Sequence, residues 1–158
     1  MAQQYDFKKG LEKFGEEGKK AVTEELAQLH KIKTWKPQDA KTLTQKQKGQ
    51  ALRNIMMLTQ KRDGQIKARG VVDGSTQRND KRYKKENNAS PTVHTNSVLI
   101  SCTIDAHKER DVAAINVPGA YLHSNLKRKD STILMQLKGK VAELLVMLNP
   151  KLYHKYIY

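Results

Sequence analysis

Two cationic side chains stand two residues apart in the stretch QIKARGVV, which has the character of an extended strand. Because side chains alternate between the two faces of a strand, Lys67 and Arg69 are expected on one face, and Ile66 and Ala68 on the other. Two cations on one sheet face could clamp a nucleoside triphosphate or the backbone of a nucleic acid. The alternative is the solvated outer face of a two-stranded ribbon, with no ligand.

A second candidate position follows a short apolar run in DVAAINVPGAYL, residues 111–122. The pattern predicts a strand over 111–117 that brings Asn116 near its end, where α/β proteins commonly place their chemistry. The side chain at this point is an amide and not a carboxylate.

The sequence gives no support for other classes of catalytic or metal-binding site. No Gly-x-Ser-x-Gly, phosphate-loop or Gly-x-Gly-x-x-Gly motif occurs, so hydrolase, nucleotide-loop and dinucleotide-binding functions lose their usual basis. The single Cys102 can form neither an internal disulfide nor a thiolate metal site. The histidines lack the short spacings of a metal cluster, so surface or core positions explain them better; they are His30, His94, His107, His123 and His154.

The cationic strand belongs to the clearest local structure that the sequence predicts, a basic β-hairpin over residues 54–73. Its turn is centred on Asp63-Gly64, since Asp-Gly accepts the positive φ angles of a tight turn. The hairpin is followed by a loop over 74–90 with almost no apolar residues. The cations of this loop that could contact a nucleic-acid backbone are Arg78, Lys81, Arg82, Lys84 and Lys85.

The region before the hairpin is expected to be helical after a weakly ordered start. Three glycines among charges predict weak order over residues 1–18. From Lys19 the periodicity predicts an amphipathic helix of about four turns. A second helix is expected from Thr44, which forms a capping-box pattern with Gln47, to about Arg53. The apolar stripe of the first helix consists of Val22, Leu26 and Leu29.

The region after the loop is expected to add a further helix and sheet. SVLISCTIDAHKE, residues 97–109, predicts a largely buried helix that leads into the strand at 111–117. Alternation in ILMQL predicts a half-exposed strand at 133–137. A last apolar helical segment over 141–148 should end at Asn149-Pro150.

Charge and hydropathy narrow the possible partners. The 158 residues carry a net charge of +14, which favours polyanions such as nucleic acid or an anionic membrane surface. No run of 18 or more apolar residues occurs, and the first residues lack the apolar block of a signal peptide. We therefore expect no membrane partner and an intracellular location, in the cytoplasm or nucleus.

Several of these segments occur in an order that is more specific than any one of them. They are KARGVVDG at 67–74, Tyr83 followed by SPTV at 90–93, the helix SVLISCTIDAH, DVAAINVPGAYLHSNL at 111–126 and ILMQL at 133–137. The series resembles the reverse transcriptase domain of copia-type LTR retrotransposon polyproteins. That family has Lys-Ala-Arg-Leu-Val-Ala-x-Gly, a Tyr with Ser-Pro-Val/Thr-Val nearby, a helix, and a strand ending in Asp-Val-x-x-Ala-Phe-Leu. The resemblance covers roughly residues 20–158.

The resemblance implies an α+β fold with a fingers-like region at 19–110 and the truncated start of a palm-like region, with an incomplete antiparallel sheet, at 111–158. It also implies RNA or DNA template–primer and a deoxynucleotide as partners of the intact family enzyme. Arg69 and Lys67 would contact the triphosphate of the incoming nucleotide. The other implied contacts are the backbone amides of Gly119 and Ala120 and, below the sugar as a steric gate, Tyr121.

Two departures from the family predict that this chain does not catalyse. Asn116 occupies the position of the family's first catalytic Asp, and its neutral carbonyl stands where Mg²⁺ prefers a charged oxygen ligand. The loss of one anionic ligand should cost several kcal/mol of metal and transition-state stabilisation. Asp111 cannot easily replace it, because a separation of five residues puts its side chain on the opposite face of the predicted strand. The later Tyr-x-Asp-Asp hairpin is missing, since no Asp-Asp occurs before the chain ends at Tyr158. We therefore expect an inactive fragment of an RNA-directed DNA polymerase that holds no cofactor, whereas the intact family enzyme uses Mg²⁺.

Three other functions are compatible with parts of the sequence. A non-catalytic basic module would bind nucleic acid without regard to sequence and with strong salt dependence. An active polymerase that depends on a missing partner segment is disfavoured by Asn116. An expressed remnant without function would be marked by low stability, because unpaired sheet edges invite aggregation.

Overall fold

The computed structural model describes residues 3–75, 92–117, 119–123 and 133–156. Over these ranges the chain is an α+β protein, as predicted, with one long helix packed on a small, mainly antiparallel sheet. Short 3₁₀ turns lie at Ala40–Thr42, Ala120–His123 and His154–Tyr156. The other elements, in chain order, are β1 (Gln3–Asp6), α1 (Phe7–Lys31), α2 (Gln45–Gly49), β2 (Leu52–Gln60), β3 (Ile66–Val72), α3 (Thr95–His107), β4 (Met135–Gln136), α4 (Lys140–Leu148) and α5 (Pro150–Tyr153).

The N-terminal segment is regular, so the prediction of weak order is wrong for residues 3–18. β1 pairs antiparallel with β2, and α1 begins directly after it. Asp6 caps the helix by accepting a hydrogen bond from the Lys9 amide at 2.9 Å. The prediction failed because it considered only the low helix propensity of glycine. In the structure, two of the three glycines lie where α1 contacts β2.

Those two glycines let α1 approach β2 closely around one side chain. Leu58 is fully buried. A Cβ atom on Gly10 would lie 2.9 Å from Leu58 Cδ1, and one on Gly18 would lie 3.1 Å from Leu58 Cδ2. The third glycine, Gly15, has φ 52° and produces a kink in α1, a backbone conformation that other residues rarely adopt.

The predicted hairpin is present as β2 and β3. Its two strands pair antiparallel in a register that sets Thr59 opposite Lys67 and Met57 opposite Arg69. Gly64 takes φ 84° in the turn and donates its amide hydrogen to the carbonyl of Lys61 at 3.1 Å. The Asp-Gly signal therefore located the turn correctly.

The core lies between α1, the inner face of the hairpin and the C-terminal helices. Sequence periodicity correctly placed the buried stripe of α1. β3 contributes little volume, because Ala68 is its only side chain in the buried cluster. The cluster contains Ala21, Val22, Leu26, Met56, Leu58, Ala68, Val141, Leu145 and Tyr153.

The second predicted helix begins as expected and ends early. Thr44 and Gln47 form a capping box, in which each side chain bonds to the backbone amide of the other residue. The helix ends at Gly49, not near Arg53. From Leu52 the chain belongs to β2, since Leu52 is buried and its amide donates to the carbonyl of Leu134 at 2.8 Å.

The helix predicted at 97–109 forms, but the prediction that it is largely buried is wrong. α3 contains no buried residue, and its Ile100 is 60% exposed. Its apolar residues are spread around the helix axis, so no single face stands out for packing. Among the described elements, none covers α3 to the point of burying a side chain.

The palm-like sheet expected after α3 does not form within the described residues. The prediction of a strand at 111–117 is wrong, because these residues are irregular and all exposed. The strand predicted at 133–137 is reduced to β4, which pairs parallel with β2 at Leu52 and Arg53. β1, β3 and β4 all pair with β2, and residues 111–117 pair with none of these strands.

The C-terminal helices close the core against the end of α1. α4 corresponds to the apolar helix predicted at 141–148, and Asn149 caps the short α5 that follows. The buried Tyr153 hydroxyl accepts a hydrogen bond from Trp35 Nε1 at 3.2 Å and lies 2.8 Å from His30 Nδ1. Because an indole N–H can only donate, the hydroxyl is free to donate its own hydrogen to His30.

None of the helices in the described ranges combines the length and the apolar character needed to cross a lipid bilayer.

Gly10→Ala should lower the free energy of unfolding. The new methyl group would lie within 3.0 Å of Leu58 Cβ, and overpacking costs about 1–3 kcal/mol, more than the roughly 1 kcal/mol that alanine gains in a helix. Urea unfolding measures the difference. Gly49→Ala is the matched control, since no atom lies within 4 Å of its added Cβ. Equal stability of Gly10→Ala and the wild type would contradict this packing.

Tyr153→Phe should destabilise the attachment of the C-terminal helices by about 0.5–1.5 kcal/mol, because it removes the hydroxyl that joins Trp35 and His30 and keeps the ring. Thermal unfolding followed by circular dichroism tests this. Tyr156→Phe removes a hydroxyl outside this network and should have no effect. A loss of equal size in both variants would show that the network contributes nothing specific.

Candidate nucleic-acid interface

The face of the sheet that points away from α1 carries the predicted cations. We call it the outer sheet face. The strand register puts alternate residues of β1, β2 and β3 on it, together with Asp73 just beyond β3. Its residues are Gln4, Asp6, Arg53, Ile55, Met57, Thr59, Lys67, Arg69, Val71 and Asp73.

Burial of the inner face determines which way Lys67 and Arg69 point. Ala68, between them, is 2% exposed and packs in the core, while Lys67 and Arg69 are both exposed. A shift of one residue in the pairing would bury both cations, which is strongly unfavourable. The prediction that the two cations share one face is therefore confirmed.

The two cations of β3, Lys67 and Arg69, form no ion pair within the part of the chain that the structure describes. On the same face Asp6 lies opposite Met57, but its carboxylate accepts a hydrogen bond from the Lys9 amide and lies 3.8 Å from the Lys9 ammonium. The positive charge of β3 is therefore available to an external anion.

At the far end of the outer sheet face, an acidic residue lies beside a basic one. The amide of Asp73 donates to the carbonyl of Arg53 at 2.8 Å, so the two residues lie side by side. Hydrogen bonds from the side chain and then the backbone of Ser75 hold the pKa of Asp73 below its ordinary value, with a smaller contribution from Arg53. Asp73 is thus a stable anion that partly offsets Arg53.

A cleft on the other side of β3 is less suited to a polyanion. It lies between α1 and the free edge of β3 and has a volume of about 230 Å³. Glu24 and Glu25 line it opposite Lys61 and Lys67, and Glu25 accepts a hydrogen bond from the Gly70 amide at 3.1 Å. Because carboxylates repel phosphates, the outer sheet face is the better anion surface.

The residues that the resemblance assigned to the palm lie elsewhere. Asn116 is exposed in the irregular segment after α3. Gly119, with φ 63°, and Ala120 form a turn beside the end of α1, where a Cβ on Gly119 would be 3.8 Å from Ile32. Tyr121 belongs to the same 3₁₀ turn. No hydrogen bond or ion pair of the described residues joins these positions to Lys67 or Arg69.

The described ranges contain no candidate metal-binding site. Among those residues, no group of three or more His, Cys, Asp or Glu side chains could hold a metal ion. The predicted backbone-binding cations of the basic loop lie outside the described residues; they are Arg78, Lys81, Arg82, Lys84 and Lys85.

Sequence reasoning placed only Lys67 and Arg69 on the outer sheet face. It missed Arg53 because the predicted second helix ran to that residue. Ile55 and Met57 lay within the predicted hairpin at 54–73, but neither was assigned to a face. The usable signal was the turn at Asp63-Gly64, since antiparallel pairing counted outward from it sets Met57 opposite Arg69. Val71 and Asp73 would have followed from the same count.

No protein-family model matches the chain, and neither a curated protein nor a solved structure is significantly similar to it. The relation to copia-type reverse transcriptases therefore depends on the sequence motifs alone, and it stays a prediction.

Ser75→Ala should raise the pKa of Asp73 toward that of an ordinary carboxyl group, because it removes the largest cause of the lowering. Arg53→Gln should raise it less. Since the folded-state pKa is lowered, this interaction stabilises the fold above the unfolded-state pKa and is lost as the pH falls through the folded-state value. Carboxyl-carbon NMR titration measures both variants. Thr59→Ala is the control, and an unchanged Asp73 titration in Ser75→Ala would refute the assignment.

Proposed function

We propose that the chain is the first part of a copia-type reverse transcriptase that does not catalyse and that keeps a polynucleotide-binding surface on its outer sheet face. The observation that supports binding most directly is the pair Lys67 and Arg69, exposed on one side of β3 without carboxylate partners in the described residues. The ordered motifs support the family, and the net charge of +14 supports a polyanionic partner.

The spacing of the two cations suits a phosphate backbone. Residues two apart on a strand stand about 7 Å apart along it, so the side chains can contact different phosphates of one strand. Arg69 can donate two hydrogen bonds to one phosphate, whereas Lys67 acts as a point charge. Such contacts position a nucleic acid and do not distinguish its sequence.

The absence of catalysis follows from the ligand chemistry of the palm-like residues. Asn116 offers a neutral carbonyl where the family has a carboxylate, and it is exposed in an irregular segment. Phosphoryl transfer by two metal ions depends on anionic ligands that hold Mg²⁺ and neutralise developing charge. In the intact family, Mg²⁺ and a deoxynucleotide bind at these positions, with Lys67, Arg69, Gly119, Ala120 and Tyr121 around the nucleotide.

RNA or DNA template–primer is the partner under this proposal, and the cytoplasm or nucleus is the corresponding location. A second candidate is a basic nucleic-acid-binding module with no relation to polymerases, which the same surface would serve equally well. The two differ in one respect that can be measured. A polymerase remnant should prefer a recessed primer–template junction over the unpaired template strand alone, whereas a general basic module should bind the two alike.

The combined variant Lys67→Gln/Arg69→Gln should weaken binding of a labelled primer–template by about 1–2 kcal/mol, or 5- to 30-fold, and reduce the slope of log affinity against log salt by about 1.5. Fluorescence anisotropy across a salt series measures both quantities. Lys46→Gln/Lys48→Gln on α2 removes the same charge elsewhere and should have a smaller effect. Equal losses of affinity in the two variants would show that Lys67 and Arg69 act only through the net charge of the chain.

The same binding experiment with Mg²⁺ and the matching deoxynucleotide tests the loss of catalysis. We expect no change in affinity and no primer extension on a gel. Tighter binding that depends on both additions, or extension by even one nucleotide, would show a working nucleotide site and overturn the proposed role of Asn116.

A further inference from the structure

The centre of the outer sheet face is apolar, although its rim is cationic. Ile55 lies directly opposite Val71, and Met57 lies opposite Arg69. Opposed side chains of an antiparallel pair stand about 4.5–5.5 Å apart, so Ile55, Met57 and Val71 form one continuous strip. Lys67 and Arg69 border this strip on the β3 side, and Arg53 follows Ile55 at its end.

This apolar strip is not part of the core. Ile55 is 41% exposed, Met57 and Val71 are half-buried, and none of the three belongs to the buried cluster or to the side chains packed against it. Exposed apolar surface costs about 25 cal/mol per Å², so a ligand that covers the strip gains free energy beyond that of its phosphate contacts. A purely ionic surface would not need these residues.

A duplex has little apolar surface with which to contact such a strip. Its outside presents phosphates and grooves, and its base faces are hidden in the stack. An unpaired strand exposes both its phosphates and its bases, so it can contact cations and apolar side chains at once. The two kinds of surface that lie side by side here match those two parts of a single strand.

We propose, on the basis of the function proposed above, that the outer sheet face binds a single-stranded polynucleotide. Its phosphates contact Lys67 and Arg69, and its unpaired bases cover Ile55, Met57 and Val71. The ligand class is thus an RNA or DNA segment without a complementary strand.

The boundaries of the face indicate how such a strand binds. The face spans seven residues of β2 from Arg53 to Thr59, about 20 Å, and acidic side chains lie at Asp6 and Asp73. Its ten residues include no aromatic side chain, so base stacking of the kind worth about 1–3 kcal/mol per base is absent. The site should therefore be short, weak and tolerant of sequence.

The test compares a labelled mixed-sequence 12-mer with the blunt duplex that it forms with its complement, as RNA and as DNA, by fluorescence anisotropy at low salt. We expect the single strand to bind at least fivefold tighter than the duplex. Ile55→Thr/Val71→Thr keeps strand propensity and removes apolar surface, so it should weaken the single strand about three- to fivefold and leave the duplex unchanged. The matched control is Leu99→Gln/Ile100→Gln on α3, which should change neither.

The outcomes separate this inference from the function on which it depends. Equal affinity for the single strand and the duplex, or equal losses of both in Ile55→Thr/Val71→Thr, would overturn single-strand recognition and leave phosphate binding intact. Binding of neither ligand would overturn both proposals. A preference for RNA over DNA would refine the ligand, since only RNA carries the 2′-hydroxyl.

A measurement on the unmodified chain covers the case in which the double variant does not fold. With ¹³C-methyl methionine, the Met57 signal should shift on addition of the single strand and stay in place with the duplex. Met147 is an internal control, because it is 75% exposed on α4, away from the face. A Met57 signal that ignores the single strand, or that moves together with Met147, would contradict base contact at the strip.

Discussion

The close contact of α1 with Leu58 organises the described structure. Two glycines, Gly10 and Gly18, allow the helix backbone to lie against this fully buried side chain, and any larger residue would push the helix away. The contact determines which face of the hairpin is inside. Because strand residues alternate, a buried Leu58 and Ala68 require Lys67 and Arg69 outside. The candidate ligand surface is therefore a consequence of how the opposite face packs.

Not all of the chain shares in this core. α3 and residues 111–117 contain apolar side chains that no described element covers, and Ile115 is 86% exposed. The same segment carries Asn116, and none of the described strands pairs with it. A metal site needs ligands held in place by surrounding structure. The exposure of Asn116 and its neutral carbonyl both support the proposal that the chain does not catalyse.

The outer sheet face differs from a simple basic patch in the arrangement of its charged and apolar side chains. Lys67 and Arg69 lie on β3, the apolar strip lies beside them on β2 and β3, and the acids Asp6 and Asp73 have local hydrogen-bond partners of their own. A patch that attracted polyanions only through net charge would not need this arrangement. This placement of charge beside apolar surface is the basis of the proposed preference for a single strand over a duplex.

The sequence by itself determined the elements whose signals are local. The Asp63-Gly64 turn, the Thr44–Gln47 capping box and the stripe of Val22, Leu26 and Leu29 depend on neighbouring residues, so they were predicted correctly. Alternation along β3 likewise placed Lys67 and Arg69 on one face.

Only the tertiary structure decided the elements that depend on distant partners. From the sequence alone, Gly10 and Gly18 indicate weak order, because glycine has a low helix propensity. In the structure these two residues allow the helix backbone to lie close to Leu58, a contact that the sequence does not reveal. Residues 111–117 predict a strand, but a strand forms only where another strand supplies hydrogen bonds. The outer sheet face combines residues from β1, β2 and β3, and pairing across the sheet, which a linear pattern does not contain, brings them together.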